Sequence, residues 1–149
     1  MTANRSIPDA AVIAVLSYPD PGAAAEWLAK TFGFGIRLRI FNHRVQMTFD
    51  GGALVTTDTG WAGTDAARIG HSMLIRVADV DAIYERALAA GATGGMPPED
   101  FDYGERQANL IDPWGHRWTF SQTIRDVDPA TWGGHLEAQQ DERQSDDGT

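Results

Sequence analysis

Residues 77–92 read VADVDAIYERALAAGA. The extended run ends at Val77, Asp79 is a short acceptor side chain of the kind that caps a helix, and Gly91 supplies the left-handed stop. The same punctuation stands earlier in the chain. Asp20 introduces PGAAAEWLAKTF and Gly33 closes it, at offsets of 59 and 58 residues from Asp79 and Gly91. In that earlier stretch Pro21 suits a helix start, the alanines favour helix, and Trp27, Leu28 and Phe32 make an apolar face. Two helices, over 20–33 and 79–91, are expected, and the nearly equal offsets mark an internal duplication.

Strand-like runs surround each helix. AVIAVLSY (11–18) precedes the first, and FGIRLRIF (34–41), RVQMTFD (44–50) and GALVTTD (52–58) follow it, with Asp50-Gly51-Gly52 as a tight hairpin. After TGWAGTDAAR (59–68) the order begins again: IGHSMLIRV (69–77), the second helix, a Gly/Pro-rich segment, ERQANLI (105–111) and HRWTFSQT (116–123). The expected fold is α+β, two βαβββ units at 10–57 and 69–123 joined by a loop at 58–68. An acidic tail occupies 124–149. Its first part holds Trp132; beyond about 136 it lacks the apolar content to offset ordering entropy and is expected to be disordered.

Composition narrows the partners. The net charge of -9 is concentrated in the tail, where seven acids from Asp126 onward face only Arg143. The body is mildly acidic and has no basic stripe, which argues against nucleic acid. AAVIAVL is too short to span a membrane and follows Pro8 and Asp9 rather than a basic segment, so neither a leader nor a membrane anchor is expected. The chain has no cysteine, which removes thiolate chemistry and fits a cytoplasmic location.

The V-x-D-V-D-A helix entry, the A-A-G-A exit and DPWGHRWTF (112–120) together resemble the vicinal oxygen chelate superfamily. That group includes glyoxalase I, bleomycin- and fosfomycin-resistance proteins and extradiol dioxygenases. YGER (103–106) and DVDPATWGG (126–134) are similar to a glyoxalase-like bacterial branch. The resemblance covers residues 10–123. It implies sheets curved into half-cups that close on a pocket, helices on the outer face, and commonly a homodimer. It also implies a divalent metal in the enzymes, at positions falling here near Ile13, at Val55 or Thr56, at Ser72 and at Thr119. None of these is a good ligand, so no metal and no cofactor are expected.

Period-two alternation assigns faces to the second unit's strands. Ser72, Leu74 and Arg76 share one face with Arg117, Thr119 and Ser121; His71, Met73, Ile75 and Val77 share the other with His116, Trp118 and Phe120. The apolar sets belong under the helices. Ser72, Arg76, Arg117 and Thr119 are therefore the expected ligand residues, the guanidinium groups suiting a carboxylate or phosphate. Pairing of one or both arginines with Glu105, Asp112 or another acid of the body is the structural alternative. Trp61, Tyr103 and Arg106 are added from the inter-unit loop and the pocket rim. Trp61 has an alternative role as packing at the junction of the halves. Glu105 is a weak catalytic candidate, with a structural Glu–Arg pair as its alternative. His116 reads as a hairpin histidine bonded to a nearby carbonyl; His71 reads as structural, with a metal ligand shifted by a strand bulge as its alternative; and His43 and His135 have no company.

Three functions follow from the resemblance together with these residues. The first is metal-independent binding of a small aromatic or anionic compound in the cup. The second is lyase, isomerase or hydrolase chemistry on a small oxygenated substrate, with Glu105 or a histidine as base. The third is a protein-interaction domain acting through Trp132 and the tail.

Overall fold

A computed structural model describes residues 2–137; the expected disorder beyond about 136 falls almost wholly outside them. The two caps form as the sequence implies. Asp20 accepts from the Ala23 amide and opens α1 (Pro21–Phe32), which Gly33 ends at φ 85°. Asp79 accepts from the Ala82 amide and opens α3 (Val80–Ala89); Gly91 follows at φ 103°. Between them lies a single turn of helix that the sequence did not announce, α2 (Thr64–Ala67), in the inter-unit loop.

Each unit builds one sheet. In the first, β1 (Ile13–Ser17), β2 (Gly35–Ile40), β3 (Arg44–Phe49) and β4 (Gly52–Thr57) are ordered β1-β4-β3-β2. The β3–β4 hairpin turns through Asp50 (φ 44°) and Gly51 (φ 84°), the two positive values a two-residue hairpin of this twist requires. In the second unit, β5 (Met73–Arg76) pairs with β9 (Arg117–Thr123), β9 with β8 (Glu105–Ile111), and β8 with two short pieces, β6 (Thr93–Gly94) and β7 (Glu99–Asp100). In both units the first strand runs parallel to the last. A strand that β2 makes in one piece is thus broken in the second unit. Pro97 and Pro98 stand at the break and have no amide to give the ladder.

One core serves both units. Leu28 and Phe32 of α1, Val80 and Ile83 of α3, Leu16, Met47, Leu54, Ala108, Leu110, Trp118 and Phe120 are all buried in it. Phe32 packs its ring 5.0 Å from Trp118 and 4.7 Å from Phe120, across the unit boundary. Polar ties reinforce the contact: Trp27 donates through Nε1 to the Ala90 carbonyl at 2.8 Å, and Arg86 Nε to the Thr31 carbonyl at 2.7 Å. These bonds occupy carbonyls that helix C-termini leave free. At the far edge the Tyr18 hydroxyl donates to Asp112 Oδ2 at 2.7 Å.

The other face of each sheet points away from this core. Val15 and Leu74, at the middles of β1 and β5, are 52% and 64% accessible. Among the described residues no helix is long and apolar enough to cross a membrane.

Candidate functional site

The second unit's open face is a polar sheet surface laid out by register. Ser121 stands between Arg76 and Gln107, and Thr119 between Leu74 and Asn109; Arg117 pairs with Ile111. Trp118 and Phe120, the alternate residues of β9, are buried on the helix side. Ser72, Arg76, Arg117 and Thr119 lie on this side of the sheet, although the four are not gathered at one point. Ser72, Arg117 and Thr119 line a concavity of about 250 Å³ together with Gly95, Asn109 and Leu110. Arg76 lies four residues along the strand, about 13 Å away at strand rise. There it lines a broader depression with Leu74, Gln122 and Thr123 and donates to Thr123 Oγ1 at 3.0 Å. Neither arginine has a carboxylate within ion-pair distance among the described residues.

Asn109 belongs to this site and is absent from the sequence-based set. Its Oδ1 accepts the Met96 amide at 2.8 Å, and its backbone bonds Gly95 and Met96 in the interrupted strand. The amide group is thereby oriented with its –NH₂ free to donate. Gly95 makes this possible, because a Cβ there would lie 2.2 Å from Asn109 Oδ1. A Gly-Gly-x-Pro-Pro break beside a strand with an asparagine was the available signal.

The remaining candidates are distributed elsewhere. Arg106, expected at the pocket rim, faces α3 instead: it shares its side with Ala108 and Leu110 and forks onto Asp81 (2.9 and 3.0 Å) with Asp100 at 3.0 Å. This engagement holds the Asp81 carboxyl below its ordinary value and the guanidinium above its own. Tyr103 stacks on Phe101 at 5.3 Å and lies 5.4 Å from Trp132, at one end of the open face. Its hydroxyl donates to Gln107 Oε1 (2.8 Å), Gln107 Nε2 to Ser121 Oγ (2.9 Å), and Ser121 Oγ to Glu105 Oε1 (2.7 Å). Glu105 thus ends a hydrogen-bond chain and pairs with no arginine among the described residues.

Trp61 sits apart from the arginines, at the junction of the units, where it lines a cavity of about 160 Å³ with Val15, Ser17, His71 and His116. His116 is buried against the Tyr18 ring, and its Nε2 lies 2.6 Å from the Ser17 carbonyl. Its Nδ1 is 3.4 Å from His71 Nε2. Below it, Asp112 accepts Tyr18 Oη, Trp118 Nε1 and the amides of Trp114 and His116. Burial, and next the neighbouring carboxylate, push the Tyr18 phenol well above its ordinary value.

The positions that the resemblance implied for a metal can be placed. Thr56 is turned to the helix side, where its hydroxyl donates to the Pro21 carbonyl at 2.9 Å, so Val55 is the residue on the open face. Ile13 and Val55 offer no donor atom, and Ser72 and Thr119 offer only neutral hydroxyls. This set does not fit a divalent ion. Among the described residues no group of three or more His, Asp or Glu side chains is placed to hold one.

Residues 11–120 match the family described as the Glyoxalase/Bleomycin resistance protein/Dioxygenase superfamily. The crystal structure of TioX from Micromonospora sp. ML1 is 32% identical, with TM-score 0.62, covering 76% of this chain and 98% of that one. A glyoxalase/bleomycin resistance protein/dioxygenase family enzyme from Burkholderia phytofirmans shares the fold at 19% identity, with TM-score 0.63 over 75% of this chain and 97% of the other. An uncharacterized protein of Mycobacterium bovis is 45% identical over 53 residues, which span 36% of this chain and only 35% of that protein. On the extent of the family match and of the TioX likeness, the chain belongs to the glyoxalase/bleomycin resistance protein/dioxygenase superfamily.

Proposed function

We propose that this protein binds a small anionic, ring-containing compound on the open face of its second unit, without a metal ion. One observation carries the reading: Arg117 lines a concavity with the Ser72 and Thr119 hydroxyls and the oriented Asn109 amide, and has no carboxylate partner among the described residues. A guanidinium facing such donors is complementary to a carboxylate, which it holds by two parallel hydrogen bonds. Val15 and Leu74, exposed on the open side, are the apolar surface a second copy would cover, so the working form is a homodimer in the cytoplasm. Benzoate is a suitable probe, tested by calorimetry and thermal shift with and without EDTA. Binding should survive EDTA and weaken by about 1.5–3 kcal/mol in Arg117→Met, the range for hydrogen bonds to charged groups. Unchanged affinity in Arg117→Met would sink the proposal. Light scattering at the monomer mass of 16.2 kDa across a wide concentration range would remove the dimer.

A second reading, catalysis with Glu105 as base, is favoured by the Tyr103–Gln107–Ser121–Glu105 chain, which orients one carboxylate oxygen and leaves the other for a substrate. Turnover of a bound carbonyl compound, lost in Glu105→Gln while binding persists, separates the two. The interaction-domain reading rests on Trp132, 44% accessible beside Tyr103.

A further inference from the structure

We propose that the first unit carries a second ligand site, a cleft for a medium-chain aliphatic carboxylate between its sheet and the N-terminal segment. Register builds the floor. Val15 stands beside Val55 and Val55 beside Gln46, in the middle of the face. Ile13, opposite Ala53, and Arg44, opposite Thr57, mark its two ends, about 13 Å apart at strand rise along β4. Val45 and Met47, the alternate residues of β3, are buried in the core, so Arg44 and Gln46 belong to the open side. The roof is the segment through Ser6, Ile7 and Pro8. Gln46 Nε2 donates to the Ser6 carbonyl at 2.8 Å and Arg37 Nη2 to the Arg5 carbonyl at 2.9 Å, which pins the segment across the sheet without filling the space beneath it. About 340 Å³ remains there, with apolar walls from Ile7, Ile13, Val15, Ile40 and Val55 and with Arg44 among them.

The walls call for a hydrocarbon, and one side chain calls for its head group. Of the three arginines on this sheet, Arg37 is committed to Gln46 and the Arg5 carbonyl, and Arg39 to Glu26. Arg44 is half-buried and enters no ion pair among the described residues. A partly desolvated guanidinium is uncompensated until an anion meets it, and a carboxylate does so through two parallel hydrogen bonds. The carboxylate is therefore placed at Arg44, with the chain running over Val55 toward Ile13. The length of that path suits an extended chain better than a compact ring. The volume lies at the small end of ligand pockets, which run from about 300 to 1,000 Å³, and so favours a chain of about eight carbons. Ile7 and Val15 are exposed and form the mouth.

The roof precedes residues 11–120, the span that matches the family, so the family fold alone does not supply this cleft. It shares no lining residue with the Arg117 concavity, and either site can fail alone.

The experiment titrates hexanoate, octanoate and octan-1-ol into the full-length protein by calorimetry, in wild type and in Arg117→Met. Octanoate should bind with similar affinity in both, and about tenfold tighter than hexanoate for its two additional buried methylenes. Arg44→Met should weaken octanoate at least tenfold and leave octan-1-ol, which has a similar chain and no charge, within twofold. Ile7→Asp, a change at an accessible position of the roof, should weaken both. Should Arg44→Met fail to fold, Ile7→Asp decides, and unchanged octanoate affinity there removes the cleft. Absence of octanoate binding, equal affinity in Arg44→Met and wild type, or loss of octanoate in Arg117→Met would each overturn the site.

Discussion

The two units share a plan and differ in what covers their sheets. Val15 pairs with Val55 as Leu74 pairs with Thr119, and Gln46 stands opposite Val55 as Asn109 stands opposite Thr119. On the first sheet the amide at this position holds the N-terminal segment: Gln46 Nε2 donates to the Ser6 carbonyl at 2.8 Å, and Arg37 bridges Gln46 and the Arg5 carbonyl. Gln46 and Val55 end up buried, 5% and 4% accessible, beside Ile7, Pro8, Ile13 and Ile40. On the second sheet the equivalent amide holds only its neighbouring strand, and the face stays bare. Duplication thus supplied one scaffold twice; the side chains then made one copy an apolar face partly covered by the N-terminal segment and the other an open polar one. A site for a polar ligand is expected where several donors remain unspent, which is the second.

The largest effect should come from cutting what holds the units together. Asp112 is 2% accessible and accepts four hydrogen bonds. Asp112→Ala strands the Tyr18 hydroxyl and the Trp118 indole in the core and should cost about 3–5 kcal/mol, read by urea denaturation. Tyr18 offers a milder version with a pH signature. Its folded pKa is raised, so its contribution is fully present below the unfolded phenol value of about 10 and is lost as pH rises through the folded value. Wild type should therefore lose stability above about pH 10, and Tyr18→Phe should flatten that loss while costing about 1–2 kcal/mol at neutral pH. An alkaline limb identical in both would show that Tyr18 does not couple the units in this way.

Removing residues 2–8 tests the comparison itself. If the N-terminal segment is what separates the two faces, its loss should expose Ile13 and Val55, raise binding of a hydrophobic dye, and destabilise the protein by about 1–2 kcal/mol. Binding of benzoate to the second face should not change. Loss of that binding on truncation would mean that the covered face contributes to the site.

Much of this was legible in the sequence. Helix caps, the duplication and the facing of β5 and β9 follow from local chemistry and period-two alternation, which need no tertiary information. Two kinds of fact were not legible. One is side-chain reach: Ser72 and Arg117 share a concavity while Arg76, on the same face, lies too far along the strand to join them. The other is the meeting of distant segments. Trp61 comes to the histidines, and Asn109 to Met96, through packing that no periodicity encodes.

The smallest expected effect concerns Arg106, which the family resemblance placed at a pocket rim and whose strand parity turns it to α3. Its pairing with Asp81 and Asp100 is at the surface, where solvent screens ion pairs. The sign of its pH dependence is nonetheless definite. The Asp81 carboxyl lies below its ordinary value because Arg106 donates to it, so the contribution is present above the unfolded carboxylate value of about 4. It is lost as pH falls through the lowered folded value. Asp81→Asn should therefore lower the denaturation midpoint slightly at neutral pH and low salt. The difference from wild type should vanish in strong acid and at about 1 M salt, where the Debye length is about 3 Å. Arg106→Gln should behave the same way and leave benzoate affinity where it was, while Arg117→Met lowers it. A variant at Arg106 that weakened the ligand as much as one at Arg117 would mean that strand parity does not decide which arginine meets the ligand, and the division between open and helix-covered faces would lose its functional meaning.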